Sequence, residues 1–529
     1  MRLNRTNALT LLAGGLVATS AVYACSSSSS SGTSPPVNDA GNDHTTSSGG
    51  TASSSGSSSG SASSSGSASS SGSASSSGGT SSGGDGGPAP ACSSLPGSVV
   101  YIESGDTQEP LLKLLGRQLR DEANITIAFM LTGSCTLSPA LYDGTAIPKG
   151  TNMLYIPSTA ENPAWTTADA ESTCTTDPNN GTPPNLGISA LFPSSCAGLG
   201  SPPTGIGQFN GPIQAYTFIV PTAEFASQTS ISAAEAYYAF GDGANNPVTI
   251  DNNGQTQKEW NDPTQFFLRP ATKSTLVATA LNISLTAAEM TLATADGGTT
   301  DGRHLESSST QVLTAVETAT GSQTIGILGD EVFDANRGKG VDVLAFSAFG
   351  ESGAYYPDST TASFDKQNIR DGHYTLWSPT VYIAPVDGSG VPTNPAVKYI
   401  TDLVLGNPNP TPPSGIVDGG KPIDGLGDIV EVGLTPNCAM QVERSGDGKP
   451  LTAYTPAAPC TCYFLSKVVN GTVPASCTTC TSSATCSGGA GCFNGYCEGG
   501  STSVTATVVD KTGVVLPAEP DGGLAPLNP

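Results

Sequence analysis

The sequence predicts an α/β fold built on mainly parallel sheets, and three features point to it. Short, continuous apolar runs recur through the middle of the chain, as expected of strands covered on both faces. Segments with helical spacing and capping signals fall between several of them. Strand and helix therefore alternate, which is the pattern of a parallel sheet with crossover helices.

The expected strands are SVVYI (98–102), ITIAFML (125–131), NMLYIP (152–157), AYTFIV (215–220), TIGIL (324–328) and VDVLAF (341–346). Between the first two, EPLLKLLGRQLRDEA puts Leu111, Leu112, Leu115 and Leu119 on one stripe, with Thr107 as a cap and Pro110 in the first turn. Farther on, ISAAEAYYAFG opens with the capping box Ser232-x-x-Glu235 and stops at Gly241; LTAAEM repeats the device with Thr286 and Glu289. Trp165, Trp260 and Trp377 are expected to pack rather than to form a sugar platform.

The chain opens with Arg2 and Arg5 before an apolar run, 8–25, which is short for a bilayer span and ends in small residues. Residues 1–24 read as a signal peptide. Val22-Tyr23-Ala24-Cys25 resembles the lipobox of bacterial lipoproteins, which implies lipid on Cys25 and, with Ser26 following, the outer membrane. An ordinary secretory peptide cleaved nearby is the alternative. Residues 25–90 form a Ser/Gly-rich stretch with almost no apolar side chain, which predicts a disordered tether. Such a coil has a root-mean-square span of roughly 45 Å.

Charge narrows the partners. Twenty basic residues stand against 44 acidic ones, a net charge of −24, and no basic stripe suited to tracking phosphates is visible. Nucleic acid is set aside. Among 13 cysteines, Cys25 would carry lipid; the other twelve, Cys92, Cys135, Cys174, Cys196, Cys438, Cys460, Cys462, Cys477, Cys480, Cys486, Cys492 and Cys497, form an even set suited to disulfides in an oxidising compartment. Cys174 with Cys196 is the pair expected from nearness in sequence. Cys477 and Cys480 have the C-x-x-C spacing of a zinc knuckle, but a Gly-rich segment with little apolar mass calls for covalent staples. Residues 436–500 are therefore expected to be a small disulfide-rich C-terminal module, followed by a tail over 501–529.

Parallel sheets bind ligands beyond the carboxyl ends of their strands, where helix N-termini offer free N–H groups to anions. IESGDTQEPLL, MLTGSC and FFLRPATKST place hydroxyls and glycines at such exits. SVVYIESGDTQEPLLKLLGRQL with ITIAFMLTGSC resembles the start of the phosphate-binding periplasmic proteins of the type II solute-binding fold. PPNLGISALFPSSC, GPIQAYTFIVP, KEWNDPTQFFLRPATKST and GHYTLWSP resemble later segments of that family, in order, over most of 98–406.

The resemblance implies a two-lobed domain over 91–435, with one lobe from about 98–210 and 370–435, the other from 211–369, and crossings near Gly211 and Phe364. It implies an anion site on Thr107, Ser134, Ser189, Arg269, Ser274 and Thr275. Lys273 is an added cation within the altered helix start, Thr272-Lys273-Ser274. Arg269 would offer a permanently charged, bidentate fork to a tetrahedral oxyanion. Where the family carries an aspartate that accepts the proton of hydrogen phosphate, this chain has Ala190, and Asp106 is the candidate substitute.

The function so implied is capture of a small inorganic oxyanion, phosphate foremost, with an ABC permease as the partner of such a role and no cofactor. A surface display or adhesion lipoprotein that keeps the fold without the anion is the second reading. An enzyme is not expected: His44, His304 and His373 are the only histidines, no G-x-S-x-G elbow is found outside the Ser/Gly tether, and no H-E-x-x-H motif occurs. A hydrolase would need His304 or His373 beside a cleft serine. Asp296, Asp301 and Glu306 resemble a cation loop only loosely, without EF-hand spacing.

Overall fold

The computed structural model describes residues 88–499, apart from 226–227, 244–249, 253–254, 258–259, 295–297, 322, 408–409, 414–421 and 488–489, together with 508–509 and 515–516. The expected signal peptide, Cys25, nearly all of the expected tether and most of the expected C-terminal tail lie outside the described residues.

The frame is an eleven-stranded sheet. Its strands are β1 (Ser98–Gly105), β2 (Ile125–Thr132), β3 (Asn152–Tyr155), β4 (Ser172–Thr175), β5 (Leu186–Ser189), β6 (Ile206–Pro221), β7 (Phe266–Leu268), β8 (His304–Leu305), β9 (Ile325–Gly329), β10 (Val341–Val343) and β11 (Trp377–Pro385). The order across it is β8-β7-β9-β6-β11-β5-β1-β2-β3-β4, with β10 also on β6. In one lobe β1 runs parallel to β2 and β5; in the other β7 runs parallel to β8 and β9. Between them β6 and β11 run antiparallel to each other.

These two strands join the lobes. The first part of β6, around Gly207–Asn210, pairs with the far half of β11, whereas Tyr216–Ile219 pairs with β9 of the other lobe. On β11, Trp377 packs in one core and Tyr382 in the other. β6 runs between the lobes through Gly211, where a Cβ would meet the Tyr382 ring at 2.6 Å. The second crossing is β11 rather than the neighbourhood of Phe364, whose ring instead lies 4.0 Å beneath the Arg337 guanidinium.

The helices that serve the argument are α1 (Glu109–Glu122), α2 (Ser134–Asp143), α3 (Ala233–Asp242), α4 (Ser274–Asn282), α5 (Ser309–Thr318), α6 (Asp330–Asp334), α7 (Pro395–Val404), α8 (Gly425–Glu431) and α9 (Thr461–Lys467). The leucine stripe of α1 is buried at Leu111, Leu112, Leu115 and Leu119, against Ile125 and Ile127 of β2. Gly116 lets that helix lie close: a Cβ there would sit 3.0 Å from Ile127 and Ile156. Both capping boxes form, at Ser232/Glu235 and Thr286/Glu289. α3 runs past Gly241 to a cap at Gly243, where φ is +53°. Thr107 does not cap α1; it lies in a 3-10 turn, Asp106–Gln108, that leads into the helix, and Gln108 takes the cap position.

The segment expected as one cysteine-rich module divides. Cys438, Cys460, Phe464 and Leu465 pack into the core of the first lobe, and Met440 and Val442 into that of the second, so 438–465 fastens the two together by apolar burial. The six bridges are Cys92–Cys174, Cys135–Cys196, Cys438–Cys460, Cys462–Cys477, Cys480–Cys492 and Cys486–Cys497. Cys174 and Cys196 are not partners. Cys174 is on β4 at the sheet edge and Cys196 follows β5, which is separated from β4 by β1, β2 and β3. Cys477 and Cys480 are both consumed by bridges, so neither offers a zinc-binding thiolate.

Candidate anion-binding site

Register builds the site's first wall. β1 and β2 pair from Ser98↔Ile125 to Gly105↔Thr132, so they end together and set the Asp106 turn beside Gly133. β5 ends on the other side of β1, with Ser104 opposite Ile188. Three loops thus meet: a Cβ on Gly105 would lie 3.3 Å from Ser134 Oγ and 3.9 Å from the Ala190 nitrogen. The second lobe supplies the end of β7 and the start of α4. They touch the first lobe closely, since a Cβ on Gly133 would lie 2.9 Å from the Thr272 carbonyl oxygen.

At this junction Asp106 faces two cations. Its Oδ2 is 2.5 Å from Arg269 Nη2 and 3.2 Å from Lys273 Nζ. Arg269 is only 1% exposed, and it also donates from Nη1 to Ser309 Oγ at 3.1 Å and from Nη2 to the Ser307 carbonyl at 2.9 Å. The expected free fork is therefore occupied from within the protein. A guanidinium removed from water has to be satisfied internally. Its Nε alone has no hydrogen-bond partner.

Lys273 is the N-cap residue of α4, a nine-residue helix whose first residues, Ser274 and Thr275, are buried. The hydroxyls of Thr107 and Thr275 are buried and make no hydrogen bond. Unpaired donors of this kind are uncommon, because each costs about 1–3 kcal/mol when left without a partner. Ser134 Oγ accepts from the Ala190 N–H at 3.0 Å, and Ser189 Oγ donates to the Leu191 carbonyl at 2.8 Å. Those two serines hold the loops.

Of the expected residues, Asp106, Arg269 and Lys273 come together directly, with Ser274 and Thr275 on the same helix start. Tyr216 was not anticipated: its hydroxyl donates to the Ala190 carbonyl at 2.5 Å and also engages Ser274, tying the first lobe to α4. Burial keeps its proton on. The only sequence signal was a phenol inside the strand run AYTFIV. Behind the 190 loop, the buried Asp447 accepts from the Phe192 N–H at 3.0 Å and the Ser195 hydroxyl at 2.6 Å. Arg444 lies 4.0 Å over Trp377 and donates to the Thr375 carbonyl.

The other expectations resolve simply. His304 contacts the Thr264 carbonyl and stacks on Phe267, while His373 contacts Asp371 and lies tilted against Tyr355; among the described residues neither ring is seen hydrogen-bonded to a serine hydroxyl. Asp301 is held by Arg303, and Asp296 lies outside the described residues. Trp165, Trp260 and Trp377 are buried.

The site carries Arg269 and Lys273 against Asp106. Two cations and one carboxylate leave one net positive charge, and the positive end of α4 adds to it. That local sign is opposite to the −24 of the whole chain.

No family model matches the chain, and no curated protein is similar to it in sequence. Among solved structures, a protein of Clostridium perfringens assigned as a phosphate ABC transporter substrate-binding protein, with bound phosphate, is 9% identical, with a TM-score of 0.38 over 64% of this chain and 99% of that one. An ABC-type phosphate transport receptor from Vibrio cholerae is 14% identical, at 0.33 over 55% and 88%. The regulatory domain of OxyR from Pseudomonas aeruginosa is 9% identical, at 0.28 over 55% and 90%. Likenesses of this size carry no argument about function.

Proposed function

We infer that this chain is an exported, lipid-tethered solute-binding protein that captures a small oxyanion, phosphate foremost, at the junction of its two lobes. The observation that carries this reading is the meeting of Arg269, Lys273 and Asp106 at the start of α4, beside the buried, unpartnered hydroxyls of Thr107 and Thr275. An incoming oxyanion takes over Lys273 and the helix N–H groups, and the two threonine hydroxyls gain the acceptor they lack. Asp106, 24% exposed at its side chain, is able to yield that place or to accept the proton of a hydrogen-bearing anion. The bound anion bridges two lobes that β6 and β11 join and that already touch at Gly133 and Thr272, and an ABC permease is the receiver such a protein would serve.

The test is calorimetric titration of the purified full chain with phosphate, sulfate and molybdate, repeated on Lys273→Ala and Thr275→Val. One anion binding at micromolar Kd, weakened about tenfold or more by each substitution, supports the reading, since a hydrogen bond to a charged partner contributes about 1.5–3 kcal/mol. A folded protein that gives no heat with any anion would shift it to display or adhesion without a ligand.

A further inference from the structure

Between the two lobes lies a cavity of about 520 Å³ that shares no lining residue with the Asp106–Arg269–Lys273 junction. The first lobe supplies Leu114 of α1, Val432 after α8 and Phe464 of α9, and the second supplies Val332 of α6 and Phe364. Protein interiors leave few voids larger than a water molecule, whereas pockets for organic ligands occupy about 300–1,000 Å³. A space of this size, walled by valine, leucine and phenylalanine from both sides, has the character of a ligand site. Val468 and Val469 carry the apolar wall outward, and Val469 is 63% exposed, surface that a seated apolar molecule would cover.

The ionisable groups of the lining are matched, neutral or in water. Lys113 lies 2.9 Å from Glu171 and 3.4 Å from Glu109, Lys366 is within 3.2 Å of Asp330, Asp334 and Asp358, and Arg337 also pairs with Asp334. Burial holds the proton on Glu331, pushed up to about 8, and burial together with the neighbouring Glu171 raises Glu109. Glu431 is exposed to solvent. An ion of either sign would thus leave water without gaining an uncommitted partner inside, which is unfavourable, whereas an uncharged apolar molecule gains by leaving water.

We propose that this cavity is a second ligand site, separate from the oxyanion junction, which takes an uncharged, mainly apolar organic molecule between Leu114, Val432 and Phe464 of one lobe and Val332 and Phe364 of the other. The two sites have no residue in common, so the oxyanion reading and this one stand or fall independently.

Fluorescence titration of the full chain at pH 6.5, below the raised value of Glu331, uses N-phenyl-1-naphthylamine, an uncharged dye that brightens on leaving water. Competitors are 1-naphthalenemethanol, 1-naphthoate and protonated 1-naphthylmethylamine, which share one ring system and differ in charge. One dye molecule is expected per chain at micromolar Kd, and the alcohol is expected to displace it at least tenfold better than either ion. Val432→Trp fills the cavity from the first lobe and Ala335→Trp, at an exposed position, from the second. Each is expected to weaken dye binding at least tenfold and to leave the response to phosphate unchanged. No dye binding, displacement by an ion as effective as by the alcohol, or dye binding that survives both substitutions would overturn the proposal. Should neither variant fold, the charge series on the unaltered protein decides by the same criterion.

Discussion

Asp106, at the end of β1, reaches across the boundary between the lobes to Arg269 at the end of β7, with Oδ2 2.5 Å from Nη2. The carboxylate balances a guanidinium that is 1% exposed. Removing one partner of a buried pair leaves the other charge uncompensated, at a cost of about 3–5 kcal/mol. Asp106→Asn is therefore expected to lower Tm in a buffer free of phosphate, and added phosphate to raise the Tm of the variant more than that of the unaltered protein. Equal phosphate effects on both proteins would show that Asp106 does not hold the place of an anion.

A second charge cluster is structural. Lys366 Nζ lies 2.5 Å from Asp330, 2.6 Å from Asp334 and 3.2 Å from Asp358, and Arg337 pairs with the last two at 2.5 Å. Lys366 holds a left-handed backbone at φ +47°, unfavourable for a residue with a Cβ, which these contacts offset. Lys366→Ala is expected to destabilise the fold by about 3–5 kcal/mol. The three carboxylates have oxygens within 4.8 Å of one another, so millimolar Ca²⁺ is expected to restore part of the loss in the variant and to leave the unaltered protein unmoved. Calorimetric melting with Ca²⁺ and with EDTA measures both; no Ca²⁺ effect on the variant would mean that the vacated space had collapsed.

What was legible in the sequence had a local signature. The stripe Leu111–Leu112–Leu115–Leu119 and the boxes at Ser232/Glu235 and Thr286/Glu289 declare themselves within one or two helical turns, and the structure carries all of them. Asp106 and Arg269 are 163 residues apart, so their pairing leaves no local pattern. The same holds for Asp447, which braces the 190 loop from 255 residues away and was read as part of a separate module. Cysteine pairing failed for the same reason: Cys174 and Cys196 are close in sequence, but sheet order sends them to Cys92 and Cys135. Resemblance gave Arg269 a free fork; burial required that fork to be filled from within.

Buried carboxyls set the pH dependence. Burial pushes Glu331 up to about 8 and Glu351 and Asp428 up to about 7, each from the ordinary carboxylate range near 4. A folded-state value above the unfolded one means that the native protein binds the proton more tightly. The stability this contributes is complete below the unfolded value, near pH 4, and is lost as pH rises through 7 and 8. Melting is thus expected at a higher temperature at pH 5.5 than at pH 8.5. Glu331 accepts from the Gln214 amide, and Glu331→Gln removes its charge without changing its size. That variant should be the more stable protein at pH 8.5, by on the order of 3 kcal/mol, with a flatter profile. A variant as pH-sensitive as the unaltered chain would assign the effect to other groups.

The bridge Cys135–Cys196 joins the start of α2 to the turn after β5, beside Ser134 and Ala190. It closes a separation of 61 residues, for which loop-closure entropy predicts a stabilisation of about 4 kcal/mol. Its position gives it a second role. Ser134 Oγ accepts from the Ala190 N–H, and the bridge fixes the two loops that carry this contact. Replacing both cysteines by serine is expected to lower Tm and also to weaken oxyanion binding about tenfold. Cys480–Cys492 spans only 12 residues and lies in the segment beyond α9. Its removal is expected to leave the anion Kd unchanged. Titrating both double variants with phosphate at a temperature where each is folded separates positioning from stability. Equal Kd values for the two would show that the Ser134–Ala190 contact keeps the loops in place without the covalent tie.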